Sequence, residues 1–225
     1  SLKGVVASET PIASRIGSNI LAMGGNSVDS SIATSLTLAV TIPHLGGLGG
    51  DFFALVMDEN GNVHFVNGSG YAPQKLTIEY MINKGLNSMP QRGPLSCVVP
   101  GMIDGLRILW EKFGSMEWEK ILSIVIENLR EGFPITNSLA RALNNLRDVL
   151  IKDSGSRATY YAEHNEFRPG MIMNFKNMLK ALEEIREDPR NFYEGDIARK
   201  ISEYMQGIGG TLDYNDFKEF RAFYD

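Results

Sequence analysis

At 225 residues, with 43% hydrophobic and 22% charged side chains, the chain has the composition of a soluble globular protein long enough to bury a substantial core. A formal net charge of −5, without a dense Lys/Arg tract, argues against a nucleic-acid partner. The single cysteine, Cys97, excludes a disulfide within the chain and a cysteine-based zinc site.

Gly4–Ala7 (GVVA) reads as a short buried strand. Thr10-Pro11 then starts a helix, with Thr10 as N-cap and Pro11 at the first helical position. Ile12, Ile16 and Ile20 stripe one face of it, and Gly24-Gly25 ends it. A second helix is expected from Asn26 or Ser27 to about Thr41. Between Val28 and Gly50 its only charged residue is Asp29, which suits a central core helix. The whole apolar region 32–48 is interrupted by Thr34, Ser35, Thr37, Pro43 and His44, too polar and short to span a bilayer, so no membrane partner is expected. Compartment stays open between the cytoplasm and export with a leader already removed.

Four glycines crowd positions 46–50 and imply positive φ angles or close backbone approach, with tight packing of helix on sheet as the main reading. The loop lacks the Lys-Ser/Thr ending of a phosphate cradle and leads into a strand. That strand, Phe52–Met57, is apolar on both alternating faces, as in a sheet covered on both sides. Asn60-Gly61 turns the chain into a partner strand over Val63–Val66.

Residues 67–95 read as irregular, with one helical turn near Ile78–Lys84, and Leu95–Val99 as a strand that buries Cys97. Helices are expected over 102–113, with Ile103, Leu106 and Trp110 on one face, and over Glu117–Glu131. Thr136 or Asn137 caps another that carries Leu139, Leu143, Leu146 and Leu150. Lys152–Gly170 reads as a polar loop. Helices follow near Asn174–Glu187, Asp196–Gln206 and from Asp213. Strands early and helices late indicate an α+β fold. Residues 1–100 form its sheet core with two N-terminal helices, and 101–225 a mainly helical region of the same domain.

Little in the residue types names a reaction. His44, His64 and His164 are scattered without metal-ligand spacing, and His44, beside the glycines, reads as a packed, hydrogen-bonded histidine. Ser1 has the form of a terminal hydroxyl nucleophile, but the stronger reading is that it is simply the first residue of a trimmed chain.

A set of collinear segments says more. They are Gly4–Gly17 with Met23–Asp29 (MGGNSVD), Pro43-His44 with its glycines and Phe52-Phe53, Ala72-Pro73, and Val98–Gly101 (VVPG). Arg130–Pro134 (REGFP), Phe192–Ala198 (FYEGDIA), Gly209–Leu212 and Asp216 complete it. Together they resemble the N-terminal part of the large subunit of the gamma-glutamyltranspeptidase family. The resemblance implies an N-terminal-nucleophile hydrolase fold, a four-layer αββα sandwich of which this chain is an incomplete part. It also implies a self-cleaving proenzyme. The nucleophile would be the N-terminal Thr of a small subunit, so no catalytic residue is expected in this chain. The partners implied are the remainder of the large subunit, that small subunit, and a small γ-glutamyl or related amide. Neither metal nor organic cofactor is implied. An apolar sheet face left open by the missing segments is also expected.

One departure concerns specificity. Counting back from Ala72-Pro73, the family's Arg that grips the substrate α-carboxylate falls at Ser69, within Asn67–Tyr71 (NGSGY). Ser69 and Tyr71 are therefore the candidate substrate-binding residues. Loss of the bidentate guanidinium suggests another acyl preference; a noncatalytic scaffold that kept the fold is a third reading.

Overall fold

The computed structural model describes residues 4–225. Ser1, the possible terminal nucleophile, lies outside the described residues. In chain order the elements are α1 Pro11–Ala22, α2 Ser27–Thr41, β1 Phe52–Met57, β2 Val63–Gly68, α3 Ile78–Asn83, α4 Met102–Phe113 and α5 Trp118–Leu129. There follow β3 Phe133–Pro134, α6 Asn137–Asn145, α7 Arg147–Leu150, α8 Ser154–Tyr160 and β4 Ile172–Met173. The chain ends with α9 Lys176–Glu187, α10 Asn191–Glu194, α11 Asp196–Gly207, α12 Tyr214–Glu219 and β5 Phe223–Tyr224. It folds into two compact units, one of residues up to Gly47 with Ser115–Glu183, the other of Leu48–Gly114 with Glu184–Asp225.

The first unit is built on α1, α2 and α5. Thr10 caps α1 by accepting from the Ala13 N–H, and Ile16 and Ile20 are fully buried. In α2, Asn26 and Asp29 form a reciprocal capping box, and Ile32, Ala33 and Leu36 are inaccessible to solvent. Helices α1 and α2 cross closely at Gly17, whose carbonyl accepts from the Ser30 hydroxyl at 2.9 Å. A Cβ at Gly17 would overlap Thr34 Oγ1, so glycine is required there. Trp118, Ile121, Leu122, Val125, Ile126 and Leu129 are all buried, as the helical periodicity of α5 predicts, each contributing about 1.5–3 kcal/mol of hydrophobic stabilisation. Buried Asp29 also accepts from the Ser115 N–H (3.0 Å) and hydroxyl (2.5 Å), fixing the approach to α5.

The second unit holds an antiparallel sheet of order β1-β2-β5, in which Phe53 faces Asn67, Leu55 faces Phe65, Met57 faces Val63 and Asn67 faces Phe223. The Asn60-Gly61 turn closes β1 on β2, with Gly61 at φ +84°. The face carrying Phe52, Ala54 and Val66 packs on α4, where Gly105 lies against the Phe52 ring. On the opposite face Phe53 (58% exposed), Leu55 (74%), Met57 (73%) and Val63 (65%) are open. Within this chain the sheet is thus covered on one side only, and the second apolar face of β1 is open, as expected of an incomplete part.

Other expectations also fail. Gly4–Ala7 does not form a strand. Leu95–Val99 is not a strand; Pro94–Ser96 form a 3₁₀ turn. Cys97 is exposed there rather than buried. The polar stretch 152–170 contains α8, started by Asp153, whose carboxylate accepts from the Ser156 N–H. Gly46, Gly47 and Gly49 have neither positive φ nor anything pressing on the Cβ position, so the expected packing requirement is not met at these three. Among the described residues no helix is long and apolar enough to cross a membrane.

Candidate functional site

The loop carrying Ser69 and Tyr71 leaves the end of β2, and its shape is set by backbone contacts. Asn67 Oδ1 accepts from the Ser69 N–H at 2.8 Å, a side-chain turn that reverses the chain. Asp51, immediately before β1, accepts from the Gly70 N–H through Oδ1 at 3.1 Å. The Val99 N–H donates to the Tyr71 carbonyl at 3.1 Å. A Cβ at Gly70 would overlap the Val99 carbonyl oxygen, and one at Gly101 would overlap that of Gly68. The glycines that matter for close approach are therefore Gly68, Gly70 and Gly101. The Gly50 carbonyl accepts from the N–H groups of Gly101 and Met102, fastening the start of α4 to the same place.

Ser69 is exposed at the tip and Tyr71 is 42% exposed, so both face solvent. The Tyr71 ring rests against Phe220, centroids 5.3 Å apart. Burial, then the nearby carboxylates of Asp216 and Glu219, raise the Tyr71 phenol above its ordinary pKa, with Arg221 opposing. The loop continues into Gln74, whose N–H donates to Asp216 Oδ1 (2.9 Å) and whose side-chain amide donates to Glu219 Oε2 (2.6 Å). Lys75 pairs with Asp213 at 2.8 Å.

Beneath this lies a buried ionic knot. Asp104, inaccessible to solvent, accepts from Arg107 Nε (2.8 Å), Arg190 Nη1 (3.1 Å) and the Ala222 N–H (2.7 Å). Arg190 also donates to the carbonyls of Phe220 and Lys218. Tyr193, fully buried, donates to the Pro100 carbonyl and accepts from the Asp104 N–H, while its ring stacks on Phe220. Burial alone would push the Asp104 carboxyl up. The bonds from Arg107 and Ala222 and the charges of Arg107 and Arg190 outweigh it and hold the pKa below the ordinary value. The knot fixes residues 218–222, and through Phe220 the wall on which Tyr71 leans.

The histidines do not join this site. His44 Nε2 pairs with Ser138 Oγ at 2.9 Å in the first unit, and burial lowers its pKa with Glu9 partly offsetting, in line with a packed, hydrogen-bonded histidine. His64 in β2 bonds the Tyr224 hydroxyl at 2.9 Å, and the His164 ring lies edge-on to Phe167. Among the described residues no three His, Cys, Asp or Glu side chains gather as a metal site would require. Asp51 and Asp104 were not legible as site residues, since a single Asp carries no spacing signal.

Comparison with known proteins settles the family. The gamma-glutamyltranspeptidase family model matches residues 13–224. The chain belongs to that family. It is 32% identical to the glutathione hydrolase proenzyme of Escherichia coli, across 98% of this chain and 39% of the proenzyme. It is also 32% identical to the glutathione hydrolase-like YwrD proenzyme of Bacillus subtilis, covering 98% of this chain and 42% of that one. The chain thus spans about two fifths of the length of these relatives. Among solved structures it superposes on Helicobacter pylori gamma-glutamyltranspeptidase with a TM-score of 0.92 at 27% identity, covering 99% of this chain and 65% of that one. On the cephalosporin acylase of Bacillus halodurans the TM-score is 0.89 at 30% identity, covering 96% and 41%. The fold is accordingly α+β and part of the N-terminal-nucleophile hydrolase fold of these transpeptidase and acylase neighbours.

Proposed function

We propose that this chain is the N-terminal portion of the large subunit of a gamma-glutamyltranspeptidase-like enzyme, which hydrolyses or transfers the acyl group of a small amide. The nucleophile is an N-terminal Thr released by self-cleavage and lying outside this chain. The reading rests on one observation above all, a family match spanning residues 13–224. The open face of Phe53, Leu55, Met57 and Val63 supports it, because apolar area of this kind calls for a covering layer. The remainder of the protein is the occupant proposed.

Ser69, with Tyr71 beside it, is proposed to meet the acyl group. A serine at the position of the family's carboxylate-gripping Arg favours a second version of the reading, an amidase or acylase with a non-γ-glutamyl preference. Loss of the bidentate pair forgoes about 1.5–3 kcal/mol of charge-assisted bonding. The test uses the full-length protein. Two bands on a denaturing gel, and a mass increase of the smaller band with an electrophilic glutamine analogue, are expected. A single unprocessed band with no adduct would mean a noncatalytic scaffold. Brisk turnover of γ-glutamyl-anilide would remove the altered-specificity version. Ser69→Arg is expected to improve γ-glutamyl binding, and unchanged affinity would dislodge Ser69 from the site.

A further inference from the structure

The loop that bears Ser69 and Tyr71 is held in place by carboxylates. Asp51 Oδ1 accepts from the Gly70 N–H, Asp216 Oδ1 from the Gln74 N–H, and Glu219 Oε2 from the Gln74 amide. The cations nearby are already engaged. Lys75 is paired with Asp213, Arg221 donates to the carbonyls of Lys218 and Phe220 and lies 3.6 Å from Glu194, and Arg190 is tied to Asp104 and Glu194. Among the described residues no Lys, Arg or His forms an ion pair with Asp51, which is exposed. One of its oxygens serves the Gly70 N–H, beside the exposed Ser69. Close backbone seating at Gly70 and Gly101 fixes the Ser69–Tyr71 loop against the Val99–Gly101 segment, and the Gly50 carbonyl is tied to the same segment through the N–H groups of Gly101 and Met102.

We infer that Asp51 selects the charge of the acyl group, favouring one that ends in an ammonium and disfavouring one that ends in a carboxylate. The inference rests on the reading that the Ser69–Tyr71 loop meets substrate. It goes further by naming the substrate class, amides of amino-terminated acyl chains. Asp51 acts here as an electrostatic neighbour of the substrate end, with no part in the bond-breaking step.

Three anilides of matched chain length separate the effects in the full-length protein: 5-aminopentanoyl, pentanoyl and glutaryl. With the neutral pentanoyl compound as internal reference, kcat/KM is expected to favour 5-aminopentanoyl over glutaryl by about tenfold or more, the order expected when one surface charge attracts and repels in turn. Asp51→Asn keeps an oxygen for the Gly70 N–H and removes only the charge. It is expected to shrink that ratio at least about fivefold. An unchanged ratio in Asp51→Asn, or a wild-type preference for glutaryl, overturns the inference. Absence of turnover with every anilide would instead count against the acyl-transfer reading. Calorimetry with 5-aminopentanamide and glutaramate then decides, because binding needs no catalysis. Tighter binding of the ammonium ligand, weakened in Asp51→Asn, sustains the inference; equal binding of the two defeats it.

Discussion

Removal of the Asp104 carboxylate tests whether the buried knot supports the Ser69–Tyr71 loop. In Asp104→Ala two guanidiniums, each with its side chain 17% exposed, lose their shared anion, and the Ala222 N–H loses its acceptor. Breaking a buried pair by removing one partner costs about 3–5 kcal/mol. Arg107 keeps Glu111 and Arg190 keeps Glu194, which places the loss near the lower end, about 3 kcal/mol. Asp104→Asn retains an acceptor and should lose about 1.5–3 kcal/mol. The pH dependence has a defined sign. The folded-state pKa is lowered, so the contribution is fully present above the unfolded value of about 3.9 and fades as pH falls through the folded value. Asp104→Asn should therefore flatten the acid limb of the stability curve. Denaturant unfolding of the full-length protein gives the magnitude, and hydrogen exchange of residues 218–225 gives the location. A loss below about 1 kcal/mol in Asp104→Ala, with unaltered exchange at Ala222, would refute the anchoring role.

Two further substitutions probe the neighbourhood from opposite sides. Gly70→Ala places a methyl into the Val99 carbonyl and should displace the loop, raising KM for any acyl substrate and lowering stability by about 1–3 kcal/mol; Gly49→Ala meets open space and should stay within about 0.5 kcal/mol of wild type. Equal effects of the two in denaturant unfolding and steady-state kinetics would show that the backbone seating is irrelevant. Leu55→Asp on the open sheet face should cost little if that face remains solvated, but about 2–3 kcal/mol or more in the full-length protein if the remaining chain covers it, read by thermal unfolding and by the yield of the two processed bands.

The helices were the most legible part of the fold because their signals are local. Thr10-Pro11, the Asn26/Asp29 capping box and the periodic apolar face of α5 specify start, cap and buried side within a dozen residues each. The short strands were not legible, since a two-residue pairing such as Phe133–Pro134 with Ile172–Met173 is decided by partners nearly forty positions apart. Gly4–Ala7 and Leu95–Val99 have strand composition but are not strands, and β-propensity describes fitness for a sheet surface, not the presence of one. Cys97 became exposed for the same reason. Its apolar neighbours suggested a core, but Pro94 and Gly93, at φ +96°, bend the chain into a 3₁₀ turn instead.

The glycines show where reading residue types stops. Four of them at 46–50 drew attention by density, yet the three whose surroundings are described touch nearly nothing within this chain. Gly68 and Gly70 stand far in sequence from the Val99–Gly101 segment that they press against. Density along the chain is a poor guide to close approach because the steric partner is the backbone of another segment: Val99 for Gly70, Gly68 for Gly101. The same logic applies to Asp51. Its importance comes from an N–H 19 residues later, and no motif around Asp51 encodes that bond. The loop at Ser69 is accordingly a product of three chain segments, Gly50-Asp51, Asn67–Tyr71 and Val99–Gly101. The acyl preference proposed for Ser69 can then be sought at any of these segments, through the charge of Asp51 as well as through the side chain at position 69.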